Sequence, residues 1–278
     1  MTSNPVPTIA LNSGTQIPQL GFGVFRVDPT ETTRVVSDAL EVGYRHIDTA
    51  AIYGNEDGVG AALTSSGIAR DDLFITTKLW NSHHTDAHSA IDASLDKLGL
   101  DYVDLYLIHW PTPNTDTFVQ AWKSLIEIAE SGKARAIGVS NFFVEHMQRL
   151  IDETGVTPAV NQIELHVNFQ QNTLREFDLR HGIATEAWYP LGGGTVSDAP
   201  ELKAIADAHG KTVAQTILRW HLQSGNVVIP KSTHIQRMAE NFDVFGFALS
   251  DDELTTIAAL DRGDAGRAGG HPLEVGNK

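Results

Sequence analysis

The chain has 278 residues, of which 41% are hydrophobic, about the size of one (β/α)8 barrel with a single large core. Its formal net charge of −15, from 35 acidic and 20 basic side chains, gives a surface that repels nucleic acid and anionic lipid. With no cysteine, disulfide scaffolds, thiolate zinc sites and cysteine nucleophiles are excluded. Met1-Thr2-Ser3-Asn4-Pro5 lacks the basic-then-apolar pattern of a signal peptide. No apolar run approaches the roughly 20 residues of a membrane span. A cytoplasmic protein without nucleic-acid or membrane partners is expected.

Thr8 to Leu11 and Gln16 to Pro18 flank Asn12-Ser13-Gly14, a hairpin turn signal that predicts a small antiparallel lid. Gly21 to Phe25 reads as a weak first strand. Thr30 to Val42 reads as a helix with Val35, Val36, Ala39 and Leu40 on one face. Beyond it, short apolar runs alternate with amphipathic stretches. Strands are predicted near 45–48, 73–78, 103–109, 135–139, 159–163, 183–188 and 227–230. Helices are predicted near 56–66, 86–98, 117–131, 143–154, 170–181, 199–209, 212–223 and 235–242. Ser250, with Glu253 at the capping-box position, starts a last helix at about 251–260. The tail from Asp261 to Lys278, rich in Gly and Asp, reads as irregular.

Buried parallel strands are continuous apolar runs, and steps of about 30 residues match one strand-plus-helix unit. The expected fold is a (β/α)8 TIM barrel with an N-terminal β-hairpin lid and extra helices. No linker interrupts the pattern, so residues 1–278 are expected to form one barrel domain.

Most of the apolar runs stop on a residue that can do chemistry, and barrel enzymes place catalytic groups at the C-terminal strand ends. Asp48, Lys78 and His109 end three consecutive runs, and Tyr53 follows Asp48 in the loop to the next helix. A buried lysine needs a partner, and Asp48 is the natural one. An ammonium beside Tyr53 favours the phenolate and is expected to lower its pKa from about 10. Such a tyrosine can give a proton to a carbonyl oxygen, and His109 can hydrogen-bond that oxygen.

Ser140, Asn141 and Gln162 end the next two runs as neutral groups suited to a carboxamide, although Ser-Asn is also a common helix cap. Trp188 ends the run after that and could stack on a planar ring or fill the core. Lys231, Ser232, His234 and Arg237 follow the last strand, where barrels often bind phosphate at a helix start. His83, His84 and His88 form a dense patch, read as a solvated loop rather than a metal site. Gly21-Phe22-Gly23 fails the dinucleotide pattern, because Arg26 occupies its third glycine position.

Gly43-Tyr44-Arg45-His46-Ile47-Asp48-Thr49-Ala50, with Tyr53, Glu56 and Gly60, resembles the first aldo-keto reductase signature. Ile137 to Phe142 is similar to the second. Ile229-Pro230-Lys231-Ser232, with Arg237, Glu240 and Asn241, is similar to the third. Trp188-Tyr189-Pro190-Leu191 is most like the branch of bacterial 2,5-diketo-D-gluconate reductases.

The resemblance implies a barrel that reduces aldehydes or ketones with NADPH, with NADH a weaker alternative. Tyr53 would be the general acid, Lys78 and Asp48 would tune it, and His109 would orient the carbonyl. Ser140, Asn141 and Gln162 would hold the carboxamide and Trp188 the nicotinamide face. Lys231, Ser232 and Arg237 would surround the adenosine 2′-phosphate, with Glu240 and Asn241 at the adenine. Val24, Leu191, Gly192, Thr233 and His234 complete the implied cofactor contacts. His234 stands where some relatives place Arg. Phe25, Trp80 and Trp110 would wall the pocket, with the 261–278 tail folded over the mouth. Arg26 is the nearest cation for an acidic sugar substrate.

The expected substrate is a small carbonyl compound such as an α-dicarbonyl, a keto-sugar acid or a keto ester, and the expected state is a monomer without metal. A non-catalytic NADP(H)-sensing protein on the same barrel is the alternative.

Overall fold

The structure, a computed structural model, describes residues 6–194 and 198–275. β1 (Thr8–Ala10) and β2 (Gln16–Pro18) form the antiparallel hairpin, with Ile9 opposite Ile17. There follow β3 (Phe22–Gly23), α1 (Pro29–Val42), β4 (His46–Asp48), α2 (Glu56–Ser65), β5 (Phe74–Leu79) and α3 (Ala87–Leu98). The alternation continues through β6 (Val103–Ile108), α4 (Phe118–Glu130), β7 (Ala134–Ser140), α5 (Val144–Thr154), β8 (Val160–Glu164) and α6 (Asn172–Arg180). It closes with β9 (Ala184–Trp188), α7 (Pro200–His209), α8 (Val213–Gln223), β10 (Val227–Val228), α9 (Ile235–Phe242) and α10 (Asp251–Ala258). One 3-10 turn, Gly263–Gly266, lies in the tail.

β3 to β10 pair in parallel in chain order. Backbone bonds close the seam between the first and last strands. The Val228 N–H donates to Gln19 O (2.9 Å), Gly21 N–H to Val228 O (2.8 Å) and Gly23 N–H to Pro230 O (3.2 Å). A Cβ on Gly23 would sit 3.0 Å from the Ile229 carbonyl oxygen, so this close approach needs glycine. The expected (β/α)8 barrel is therefore observed. Its first and last strands are shorter than expected, because pairing at the seam is brief and Pro230 has no N–H to extend it.

All six positions of β5 and of β6 are buried. Outward residues pack under the helices and inward ones fill the barrel, which explains the continuous apolar runs. Leu11 and Ile17 pack with Phe74, Leu105, Leu107, Val160 and Val227. The inward residues of this cluster lie nearer the strand starts, so the hairpin plugs the N-terminal end of the barrel. The lid expected from the sequence thus closes the end opposite Asp48 and Lys78. Leu202, Ile205, Ile217, Trp220 and Ile257 form a separate cluster joining α7, α8 and α10. α7 and α10 are the helices beyond one per strand.

The helix starts follow their signals. Asp28 accepts from the Thr30 N–H (2.9 Å) ahead of Pro29. Ser250 and Glu253 form the expected reciprocal capping box at α10. Asp48, Lys78 and Ser140 lie at or next to the C-terminal ends of their strands.

Candidate active site

Asp48 ends β4, Lys78 is the penultimate residue of β5 and His109 directly follows β6. Parallel register puts them at one end of the barrel. Lys78 is fully buried, and its Nζ donates to Asp48 Oδ1 (2.6 Å) and to the Thr49 carbonyl (2.8 Å). The same Nζ stands 3.5 Å from the Tyr53 hydroxyl and 5.1 Å from its ring centre. Tyr53 closes a short 3-10 turn, Ala51–Tyr53, and the left-handed Gly54 ends it. The Asn55 amide ties this loop to the Val24 carbonyl (3.0 Å), and Thr49 donates to Asn55 Oδ1 (3.0 Å). The Tyr53 and His109 rings meet edge-on at 5.7 Å.

The charges are set by this burial. Burial alone would lower the Lys78 pKa, but the Asp48 carboxylate, together with Tyr53 and Glu186, outweighs it and the net direction is upward. Burial pushes the Tyr53 phenol up, and the opposing pull of Lys78 is not enough to reverse it. This corrects the expectation of a lowered tyrosine, because desolvation of a phenolate outweighs one nearby ammonium that is already matched by Asp48. Burial, then Lys78, holds the His109 pKa well below the usual range. The imidazole is neutral at neutral pH and has one N–H to offer. Its Nδ1 is buried with no hydrogen-bond partner among the described residues.

Ser140, Asn141 and Gln162 also gather here, all buried. Ser140 Oγ donates to the Gln162 carbonyl (2.8 Å), and Asn141 Nδ2 donates to the His109 carbonyl and to Ser140 Oγ, both at 3.0 Å. Asn141 holds a left-handed φ of 64°, which fits Asn better than most residues. Trp188 is half-buried, and its indole N–H donates to Asn141 Oδ1 (2.8 Å). Leu191 and Gly192 follow on the same rim.

Past β10, Lys231 is exposed and Ser232 is buried, its Oγ accepting from the His234 N–H (3.1 Å) at the start of α9. Thr233 is half-buried, and Arg237 lies exposed in the first turn of α9. Glu240 and Asn241 lie on its last turn, Asn241 buried.

The histidine patch disperses. His84 is buried with Nδ1 3.0 Å from Thr117 Oγ1, and His88 meets Glu127 at 3.0 Å on the surface. Among the described residues, no group of three or more His, Cys, Asp or Glu side chains could hold a metal. Gly192–Gly194 forms a 3-10 turn crossed by Tyr189, whose hydroxyl would lie 1.9 Å from a Cβ on Gly193.

Aromatic rings border the mouth. Phe25 is 53% exposed and packs on Tyr53 at 5.0 Å, Trp80 meets His109 edge-on at 5.1 Å, and Trp110 lies parallel to it at 6.4 Å. Arg26 stands over the Phe25 ring at 5.1 Å. The tail crosses this mouth as expected over its described part; residues 276–278 lie outside the described residues. A Cβ on Gly269 would strike Trp188 (2.4 Å), Gly270 lies by Trp110, and His271 meets Phe143 at 5.6 Å.

Sequence reading missed the group that ties the tail down. Glu164, the last residue of β8, accepts from the Ala268 N–H (2.6 Å), the Gly269 N–H (2.9 Å) and His166 Nε2 (3.2 Å). Its position two residues after Gln162 was the available signal, because strand alternation puts both on one face. Burial opposes its charge, but His166 and the two amides prevail and lower its pKa. Glu164→Gln should weaken the latch by about 1.5–3 kcal/mol. Hydrogen exchange should then accelerate across 263–275 and stay unchanged in β5 and β6. A carboxylate with a lowered folded pKa gives stability that is lost as pH falls through that value, so acid should loosen the same segment in the wild type.

Residues 18–262 match the Aldo/keto reductase family. The chain is 52% identical over 276 residues to a protein of Escherichia coli named methylglyoxal reductase DkgA, covering 99% of each. An aldo/keto reductase structure from Brucella melitensis is 55% identical, with a TM-score of 0.89 over 92% of this chain and 100% of that one. A structure of a Gox0644 variant in complex with NADPH is 45% identical, with a TM-score of 0.94 over 98% and 99%. The chain belongs to the aldo/keto reductase family.

Proposed function

We propose that this protein reduces small aldehydes and ketones to alcohols with NADPH, Tyr53 giving the proton. The observation that carries this reading is the buried Lys78 ammonium, held by Asp48 at 2.6 Å and 3.5 Å from the Tyr53 hydroxyl. NADPH, when bound, supplies the hydride to the carbonyl carbon. The raised phenol is protonated at neutral pH and hands its proton to the carbonyl oxygen. Lys78 steadies the phenolate left behind, and Asp48 keeps Lys78 charged. The neutral His109 donates to the same oxygen and fixes the carbonyl between the mouth aromatics.

The residues present fit the cofactor. Ser140, Asn141 and Gln162 are neutral amide-matching groups beside a half-buried Trp188. Lys231 and Arg237, in an acidic protein, enter no ion pair among the described residues and flank a helix start suited to an anion. Val24, Leu191, Gly192, Thr233, His234, Glu240 and Asn241 are the further cofactor contacts that this reading assigns. A charge-assisted contact is worth about 1.5–3 kcal/mol. Lys231→Ala and Arg237→Ala should therefore each raise KM for NADPH by about tenfold to a hundredfold and leave KM for NADH nearly unchanged.

The substrate class is α-dicarbonyls of methylglyoxal size, with keto-sugar acids such as 2,5-diketo-D-gluconate and keto esters as the next candidates. The E. coli relative's name and the apolar aromatic mouth support small carbonyls. Loss of NADPH absorbance over a panel of these three classes tests the reading. Turnover that is fastest with α-dicarbonyls is expected. NADPH binding without turnover on any class would replace the enzyme with a cofactor-sensing protein.

A further inference from the structure

Glu186 lies one layer below the site and has no part in the chemistry above. It stands on β9 two residues before Trp188, so both side chains point into the barrel. It is fully buried. Its Oε2 accepts from Gln162 Nε2 at 2.8 Å, while the other hydrogen of that nitrogen goes to Asp48 Oδ2, also at 2.8 Å. Its Oε1 has no hydrogen-bond partner among the described residues and stands 3.6 Å from His46 Nε2. His46 Nδ1 faces the Pro18 carbonyl at 3.4 Å and Nε2 faces Thr76 Oγ1 at 3.2 Å. A carbonyl only accepts, so the ring proton sits on Nδ1 and Nε2 is an acceptor turned toward Glu186.

Two carboxyl groups and one ammonium share this dry interior. Lys78 is already matched by Asp48 at 2.6 Å, and a second carboxylate would be left without a cation. We propose that Glu186 is a positioning residue of the reductase: held as a neutral acid, it pins the Gln162 amide nitrogen together with Asp48. Gln162 then keeps its carbonyl oxygen for the amide N–H of the nicotinamide, and no second charge enters beneath Tyr53 and Lys78. This rests on the NADPH-reductase reading. The two ends of a glutamine amide are almost isosteric, and two acceptors below allow only one orientation.

The titratable groups facing Glu186 are Asp48 and His46 from β4, Tyr53 from the loop after β4, and Lys78 from β5. Its neighbours on β8 and β10 are Gln162 and Val227. Burial, then the Asp48 charge, pushes its carboxyl up. Once ionised at alkaline pH, it raises the pKa of Tyr53 and of Lys78. Removing that charge therefore lowers the Tyr53 pKa.

Glu186→Gln cannot ionise but still offers Gln162 an oxygen, whereas Glu186→Leu offers nothing. The alkaline limb of NADPH-dependent reduction should move to lower pH in both variants. KM for NADPH should rise severalfold more in Glu186→Leu than in Glu186→Gln. The infrared difference between wild type and Glu186→Gln, taken without substrate, should show a protonated-carboxyl band that fades on alkalinisation. Coincident alkaline limbs in wild type and Glu186→Gln would overturn the inference. So would absence of the band at neutral pH, which needs only folded wild type and variant and no turnover. Full activity in Tyr53→Phe would instead remove Tyr53 as the proton donor, and NADPH binding without turnover in the wild type would remove the reductase reading; either leaves the infrared result to judge Glu186 alone.

Discussion

Tyr53→Phe should lose about 10²- to 10⁴-fold in kcat, the range for removing a positioned general acid, while NADPH affinity stays within about twofold. The variant deletes one oxygen from a half-buried ring that keeps its packing on Phe25 and His109. Stability should therefore hardly change, and cofactor titration by tryptophan quenching separates lost chemistry from lost binding. The pH dependence of the wild type follows from the raised phenol. Reduction needs Tyr53 protonated, so its rate should be flat through neutral pH and fall only as pH passes the raised value. Alcohol oxidation needs the phenolate and should climb over that same alkaline range. A tyrosine tuned below its ordinary pKa would instead lose reduction near neutrality.

Lys78→Met should cost both turnover and stability. Asp48, 2% exposed, would keep Gln162 but lose its cation, and an uncompensated buried charge costs about 3–5 kcal/mol. Activity should fall by roughly a hundredfold or more, because the phenolate left after proton transfer has no counter-charge. Asp48→Asn together with Lys78→Met removes both charges. That double variant should recover much of the denaturation midpoint without recovering turnover. Recovery of both would make the pair a structural bridge and not part of the proton chemistry.

The repeated apolar runs made the barrel legible, because strands covered by helices carry no polar alternation. Strand ends then located Asp48, Lys78, His109, Ser140 and Gln162 at one mouth. What escaped was tertiary. Nothing in Thr8 to Pro18 says which end of a barrel a hairpin closes, and only the packing of Ile17 on Phe74 and Val227 decides it. The direction of the Tyr53 shift depends on how much water the folded mouth excludes. Glu164 falls just past the predicted 159–163 run and Glu186 inside the 183–188 run; Glu164 takes its meaning from the tail amides folded over it, and Glu186 from Gln162, which sheet register brings opposite it. His83, His84 and His88 are close in sequence yet His84 and His88 have different partners, because a turn and the start of α3 part them.

The most direct test uses NADPH deuterated at the transferred position, methylglyoxal as the carbonyl and mass spectrometry of the product. Wild type should place one deuterium on the new carbinol carbon at each turnover. Tyr53→Phe, saturated with the same cofactor, should form that labelled alcohol at least about a hundredfold more slowly. No labelled alcohol from the wild type, or equal rates from the two proteins, would contradict the account.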